Sequence, residues 1–421
     1  MIRSVGRVFS RGGGAYGFAM ILAAALLPTV GLYWGGSYTA VVVVVSLVVL
    51  ASSVLARGGR SRLAGLRFDL PLIASLGACL ALGWMAILWS IVPAASAKTA
   101  LELTLLSAAL LPMVSVTGPE PGFDPGYGRD LDLVLDVLVV AILCGAVVAT
   151  IDIALYDRYG PLAAPGHYTA HRVVKYNRGI SYLEMMLWPL LACCWLHRSK
   201  AVAIGLAVAV SVVTVVSASL TAKIALAAGF AVLALSLVSV TATGAMMAGG
   251  VVVLGVATPV MLKVASALLL AEPLSLIKRS GLHRLEFWDY MADRVWDRPL
   301  LGWGWQSVPA LPIHPEELAR YHVVDDQGVG HAHNMWLQVW VETGVVGAVL
   351  FLAFALYALH RTVTLPEPLR PFALACYATV LTMTLSAYNL SADSWWAAIA
   401  WSAFLFILVA NRWRTTAAGS R

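Results

Sequence analysis

The chain has 421 residues, 60% of them hydrophobic and only 12% charged, with a mean hydropathy of +0.82. So few charges could not cover a soluble core of this size, which excludes a water-soluble globular protein and points to a bilayer. The formal charge of +6 is then a matter of individual loops, and not the footprint of a nucleic-acid binder.

In a bilayer, helices satisfy their own backbone groups and turn apolar side chains to lipid. The expectation is an all-α, polytopic membrane protein of about twelve transmembrane helices, near 15–33, 38–56, 70–90, 97–116, 131–154, 180–196, 200–217, 220–240, 244–271, 334–359, 370–388 and 393–411. The first follows Arg3, Arg7 and Arg11 and could pass for a signal peptide, but further spans follow at once, which favours a transmembrane helix. Cys79, Cys144, Cys193, Cys194 and Cys376 all fall in apolar runs. They read as small packing residues, with neither a disulfide framework nor a cysteine metal site.

Basic residues set the orientation. Arg57, Arg60, Arg62 and Arg67, the 197–200 turn, the 360–370 loop and the Arg412/Arg414 tail fall on one side, the cytoplasmic face. Residues 1–421 then form a single membrane domain with two outer segments, a short basic loop at 156–179 and a large loop at 272–333. Within the large loop, Leu282, Leu285, Trp288, Met291, Ala292, Val295 and Trp296 recur at helical spacing, with Arg284, Glu286, Asp293 and Arg294 opposite. That pattern predicts an amphipathic helix on the membrane surface or capping a cavity, ended by Pro299.

The short loop carries His167, His171, Arg172, Lys175 and Arg178 against Asp157. Two readings stand: pairing with lipid headgroups and loop acids, or an anion site for a phosphorylated lipid, since Arg and Lys bind phosphate. Arg178 is the strongest member, read as opening a helix at Asn177-Arg178-Gly179. Lys223, just inside a span, either snorkels outward or meets an anion. For Lys98 and Lys263, snorkelling is the favoured reading. The acidic stripe Asp289, Asp293, Asp297 reads as a solvated face paired with Arg294 and Arg298 rather than a cation site.

His331-Ala332-His333-Asn334 stands where the large loop re-enters a hydrophobic run. The spacing lacks the helical pattern of a zinc motif, and no metal ligands are assigned. A histidine capping the next helix is one reading. A neutral imidazole acting as general base is the favoured one, with His333 ahead of His331.

The order Lys223, Arg284, Pro299-Leu300-Leu301-Gly302-Trp303-Gly304, His331 to Asn334 and Glu342-Thr343-Gly344 resembles the O-antigen ligase superfamily. That group includes lipopolysaccharide O-antigen ligases, O-antigen polymerases and protein O-oligosaccharyltransferases. One departure is Ala222-Lys223, where members usually carry Ser-Arg; the charge is kept and the bidentate fork lost. The resemblance implies an inverting, metal-independent glycosyltransferase of a bacterial inner membrane with a periplasmic active site and no cofactor. Its donor would be an undecaprenyl-diphosphate-linked glycan and its acceptor a sugar hydroxyl of lipid A-core. His333 and Arg284 would be catalytic, and Arg178, Lys223, Lys175, Arg172, His331 and Asn334 would bind the diphosphate and substrates. Polymerase and protein transferase remain alternatives within the superfamily. A secondary transporter of an anionic solute is the rival from another class, and would call for mid-membrane charges and repeated halves.

Overall fold

The computed structural model describes residues 14–55, 68–115, 126–159, 171–270, 279–315, 317 and 332–419. The described residues form thirteen α-helices and no strand. In chain order they are α1 (Gly14–Tyr33), α2 (Tyr38–Leu55), α3 (Leu70–Met85), α4 (Pro93–Val114), α5 (Gly126–Tyr159), α6 (His171–His197), α7 (Lys200–Val216), α8 (Leu220–Val238), α9 (Val240–Leu270), α10 (Arg279–Asp297), α11 (Met335–Val363), α12 (Arg370–Thr384) and α13 (Asp393–Gly419).

Each of the twelve expected spans holds a helix, and α10 is the expected helix of the large loop. Among the described residues eight helices are long and apolar enough to cross a membrane, and shorter apolar stretches span Met20–Tyr33, Gly35–Ala51 and Lys200–Val216. The chain is therefore a multi-pass membrane protein. α6 is its central helix: 89% of its apolar window is buried against other helices, compared with 28% for α9, whose flank faces outward.

Two boundaries differ from expectation. α6 begins at His171, so Arg178 lies two turns inside a helix and does not open one. α12 ends at Thr384, and residues 385–392 form a separate polar connection. The apolar run continues through Leu385, but Ser386, Asn389 and Ser391 bond to neighbouring elements or turn the chain instead of extending the helix.

Charged residues sort to the two ends of the bundle. At one end Arg198 pairs with Asp136 at 3.1 Å, Arg412 with Asp132 at 2.9 Å and Arg361 with Asp69 at 3.2 Å. The other end gathers the α1–α2, α3–α4, α7–α8 and α12–α13 connections around α10 and the start of α11. That is where the candidate site lies.

Candidate active site

α10 is packed between α9 and α11 and buries polar side chains as well as apolar ones. Leu282, Leu285, Met291 and Val295 are buried, and so are Glu286, Asp289 and Arg294. The expectation of a polar face turned to water is thus corrected. Lys263, reaching from α9, pairs with Asp289 at 2.9 Å and Asp293 at 2.7 Å. It does not snorkel, because two carboxylates meet it at the helix interface. Asp289 is wholly buried, so this clamp joins α9 to α10 through a desolvated charge.

Arg294 is likewise committed. It donates to the Pro312 carbonyl at 3.1 Å, pairs with Asp297 and Glu317, and lies over the Tyr290 ring at 4.9 Å. Burial pulls its guanidinium pKa down, but Tyr290 and Glu317 beside it leave the pKa above the ordinary arginine value. Arg298 stacks over Trp303 at 4.2 Å and donates to the Trp89 carbonyl at 3.3 Å. The acidic stripe is therefore divided between Lys263 and Arg294, and Arg298 takes no part in it. Among the described residues Lys98 pairs only with exposed Glu102, at 3.8 Å.

Arg284 behaves differently. It is half-buried on α10, and burial alone depresses its pKa. Among the described residues no carboxylate pairs with it. The same holds for Lys223, half-buried one turn into α8, and for Arg178, exposed on α6.

The 299–304 turn seats these elements. α11 is broken at Gly344, whose φ of +63° and ψ of −161° are non-helical. The break frees the carbonyls of Val341 and Glu342 and the N–H groups of Val345 and Val346 from their helical partners. Trp303 and Gly304 donate to those two carbonyls, each at 2.9 Å. Val345 donates to the Pro299 carbonyl at 2.9 Å and Val346 to that of Leu300 at 3.3 Å. Glu342, buried beside the turn, accepts from Gln338 Nε2 at 3.1 Å. The two motifs singled out in the sequence are thus halves of one structural joint.

His333 precedes α11 in a left-handed conformation, φ +50°, uncommon outside glycine and tolerated mainly by Asn, Asp and His. It is held on both sides. The carbonyl of Ala332 accepts from Trp288 Nε1 at 3.0 Å, and Asn334 Oδ1 caps α11 by accepting from Leu337 N at 2.9 Å. Asn334 Nδ2 also donates to the Leu385 carbonyl at 3.0 Å. The carboxamide expected to meet substrate is therefore engaged at both ends as a cap and tether.

The 385–392 connection, whose first four residues the sequence assigns to a span, ties the site together. Ser386 bonds Thr221 at the start of α8 at 2.7 Å, Leu390 N donates to Gln338 at 2.9 Å, and Ser391 donates to Gln306 at 2.9 Å. Beside it an apolar cavity of about 310 Å³ opens between α8, α9, α10 and α12, walled by Ile224, Leu254, Met261, Trp288 and Leu385 with Asn334 at its edge. Glu184 is a second missed residue. It is wholly buried within α6, and its Oε1 accepts from Thr214 at 2.9 Å.

His331 and His167 lie outside the described residues, and Arg172 and Lys175 lie on α6 with undescribed side chains. No group of three His, Cys, Asp or Glu side chains able to hold a metal is found among the described residues.

Residues 185–352 match the family model described as O-antigen ligase, a range that holds Lys223, Arg284, the 299–304 turn, His333 and Gly344 but not Arg178. Among curated proteins the chain is similar to one named "Putative polysaccharide ligase" from Rickettsia felis, 26% identical over 129 residues, 30% of this chain and 31% of the relative. A relative of the same description from Rickettsia prowazekii is 26% identical over 140 residues, 33% of this chain and 34% of its own. The matched stretch thus spans about a third of the length of these relatives. Together these matches support the resemblance to the O-antigen ligase superfamily.

Proposed function

We propose that this protein is an O-antigen ligase: a glycosyltransferase moving a glycan from an undecaprenyl-diphosphate carrier to a sugar hydroxyl of lipid A-core, at the periplasmic face of a bacterial inner membrane. The observation that carries the reading is how the cations are used. Lys263 and Arg294 are consumed by carboxylates, whereas Arg284, one helical turn before the cavity-lining Trp288, and Lys223, between the cavity-lining Thr221 and Ile224, pair with none among the described residues. A half-buried cation without a protein anion suits an anionic ligand.

In the proposed reaction the acceptor hydroxyl gives its proton to the neutral imidazole of His333 as its oxygen attacks the anomeric carbon. The glycosidic C–O bond forms while the bond from that carbon to the diphosphate oxygen breaks, with inversion. The departing diphosphate takes the electron pair, and Arg284, Lys223 and Arg178 stabilise its charge. Charge stabilisation by side chains leaves no step that calls for a metal ion. The apolar cavity receives the start of the lipid chain, whose remainder lies along the outward flank of α9. In this orientation the Arg198, Arg361 and Arg412 end is cytoplasmic, as the positive-inside rule requires. The outer side carries the 156–179 and 272–333 segments of a single membrane domain.

Purified protein mixed with polyprenyl-diphosphate-linked glycan and lipid A-core, followed by gel shift of the acceptor, tests the reading. Transfer to lipid A-core is expected. Lengthening of the donor glycan alone would reassign the protein as a polymerase, and glycan on neither product would overturn glycosyl transfer with these substrates.

A further inference from the structure

His283 precedes Arg284 on α10 and lies outside the motifs singled out above. Its ring lies against that of Phe287, one turn on, with centroids 3.9 Å apart, and Phe287 is buried. The His283 ring also approaches that of His333, with centroids 6.4 Å apart and planes at 75°. Adjacent helical positions diverge by about 100°. α10 therefore turns an imidazole toward the start of α11 and a guanidinium toward a neighbouring sector.

We propose that His283 is a positioning residue of this site, orienting the His333 imidazole for proton abstraction; this rests on the glycosyl-transfer reading with His333 as base. A centroid separation of 6.4 Å is spanned by one oxygen hydrogen-bonded to a nitrogen of each ring. A neutral imidazole donates from one nitrogen and accepts at the other. An oxygen held by His283 at one His333 nitrogen thus fixes which nitrogen offers its lone pair to the acceptor hydroxyl.

The backbone supports this division of labour. The His333 main chain is held through the Ala332 carbonyl and the Asn334 cap, so its ring leaves a fixed backbone position beside His283. His283 is itself fixed by Phe287, so it can act as a rigid reference for the second ring. The charged groups on α10 are Arg279, Arg284, Glu286, Asp289, Asp293, Arg294 and Asp297, and α9 carries Lys263. Asp289 and Lys263 pair with each other, and the start of α11 adds the neutral Asn334 and Gln338.

The test uses the full-length protein in lipid nanodiscs. His283→Phe keeps a ring against Phe287 and removes both nitrogens, and His283→Gln restores a polar group. With Tm unchanged, His283→Phe should lower kcat by about 10²-fold, the scale of a misplaced catalytic group, at constant donor KM. His283→Gln should recover part of the loss. In a His333→Asn background, His283→Phe should cause no further loss, because both act on one step. Independently of turnover, 15N spectra of histidine-labelled protein should show the His333 tautomer balance shifting in His283→Phe.

Full kcat in His283→Phe, an added loss in the His333→Asn background, or unchanged His333 spectra would each overturn the proposal. If His333→Asn stays active, the assignment of His333 as base fails. A loss on His283→Phe in that case would make His283 the base itself and reject a positioning role. If the wild type transfers no glycan, the spectra still decide whether the two rings are coupled.

Discussion

Trp303 donates its backbone N–H to the carbonyl oxygen of Val341 at 2.9 Å, standing in for a helical bond lost where α11 breaks. The same turn takes over the other three groups freed there, so a helix interruption inside the bundle leaves none of them unpaired. Each such group left unmet would cost about 1–3 kcal/mol, and more where lipid replaces water. The break lets α11 turn as it leaves the site while the turn pins α10 to it.

That joint has no room for a side chain. A Cβ at Gly344 would stand 2.4 Å from the Leu300 carbonyl carbon, and one at Gly302 would stand 2.5 Å from that of Glu342. Both residues also have positive φ. Gly344→Ala and Gly302→Ala should each destabilise the protein by at least about 1–3 kcal/mol through backbone strain, with the clash adding to it. Thermal unfolding in detergent would show this as a lowered Tm. An unchanged Tm in either variant would mean that the turn and α11 are not joined as described.

The Lys263 clamp gives a prediction of different form. Lys263→Ala strands the carboxylate of Asp289, which is wholly buried. Removing one partner of a buried pair costs about 3–5 kcal/mol, and the partial exposure of Lys263 places the loss at the lower end. Lys263→Met combined with Asp289→Leu removes both charges and should recover most of the stability. If the double variant were no more stable than Lys263→Ala, the loss would stem from packing and not from an uncompensated charge.

The spans were legible because lipid imposes one pattern on every crossing helix, and α10 was legible from its apolar period. Its polar face was misread because periodicity cannot show that Lys263, some thirty residues earlier in sequence, waits on the other side. The Pro299–Gly304 and Glu342–Gly344 motifs could be found, yet their bonding to one another could not, since backbone hydrogen bonds leave no side-chain signature. Ser386 was lost in an apolar average and Asn389 and Ser391 fell between two expected spans, although a polar island ending a span is a signal available in the sequence. His283 was hidden by its own helix: only the approach of α10 to the start of α11 gives it a partner.

Removing the proposed base calls for a substitution that respects the backbone. Because His333 sits at φ +50°, Asn is the suitable replacement, since it tolerates this region better than Ala. His333→Asn should fold normally and lose about 10²–10⁴-fold in transfer rate, the range for a general base. Substrate turnover at near wild-type rate by this variant would reject the role. His331→Ala, measured in parallel, should retain more activity.

The half-buried cations should matter more than the exposed one. Arg284→Ala and Lys223→Ala are expected to raise donor KM and lower kcat most, because half-buried charges are less screened by water. Exposed Arg178→Ala should do least. Arg284→Lys should also be harmful, because a single ammonium lacks the planar fork. Lys223→Arg should be tolerated, as the superfamily usually carries Arg at the matching position. Steady-state kinetics over a donor series would decide. Identical donor parameters across all three alanine variants would remove the diphosphate from this end of the bundle.

The last prediction concerns divalent metal. The carboxylates best placed to bind one are Asp289 and Asp293, and both are paired with the Lys263 ammonium. A metal would have to displace a cation already seated at 2.7–2.9 Å and break the α9–α10 clamp. Asp297 is similarly held by Arg294. With Arg284 and Lys223 available for the diphosphate charge, transfer should proceed unchanged in excess EDTA, and Mg²⁺ or Mn²⁺ should not accelerate it. Loss of activity under EDTA, restored by either ion, would require a carboxylate site that this arrangement does not provide. It would transfer the task of stabilising the leaving group from the arginine and lysine side chains to the metal.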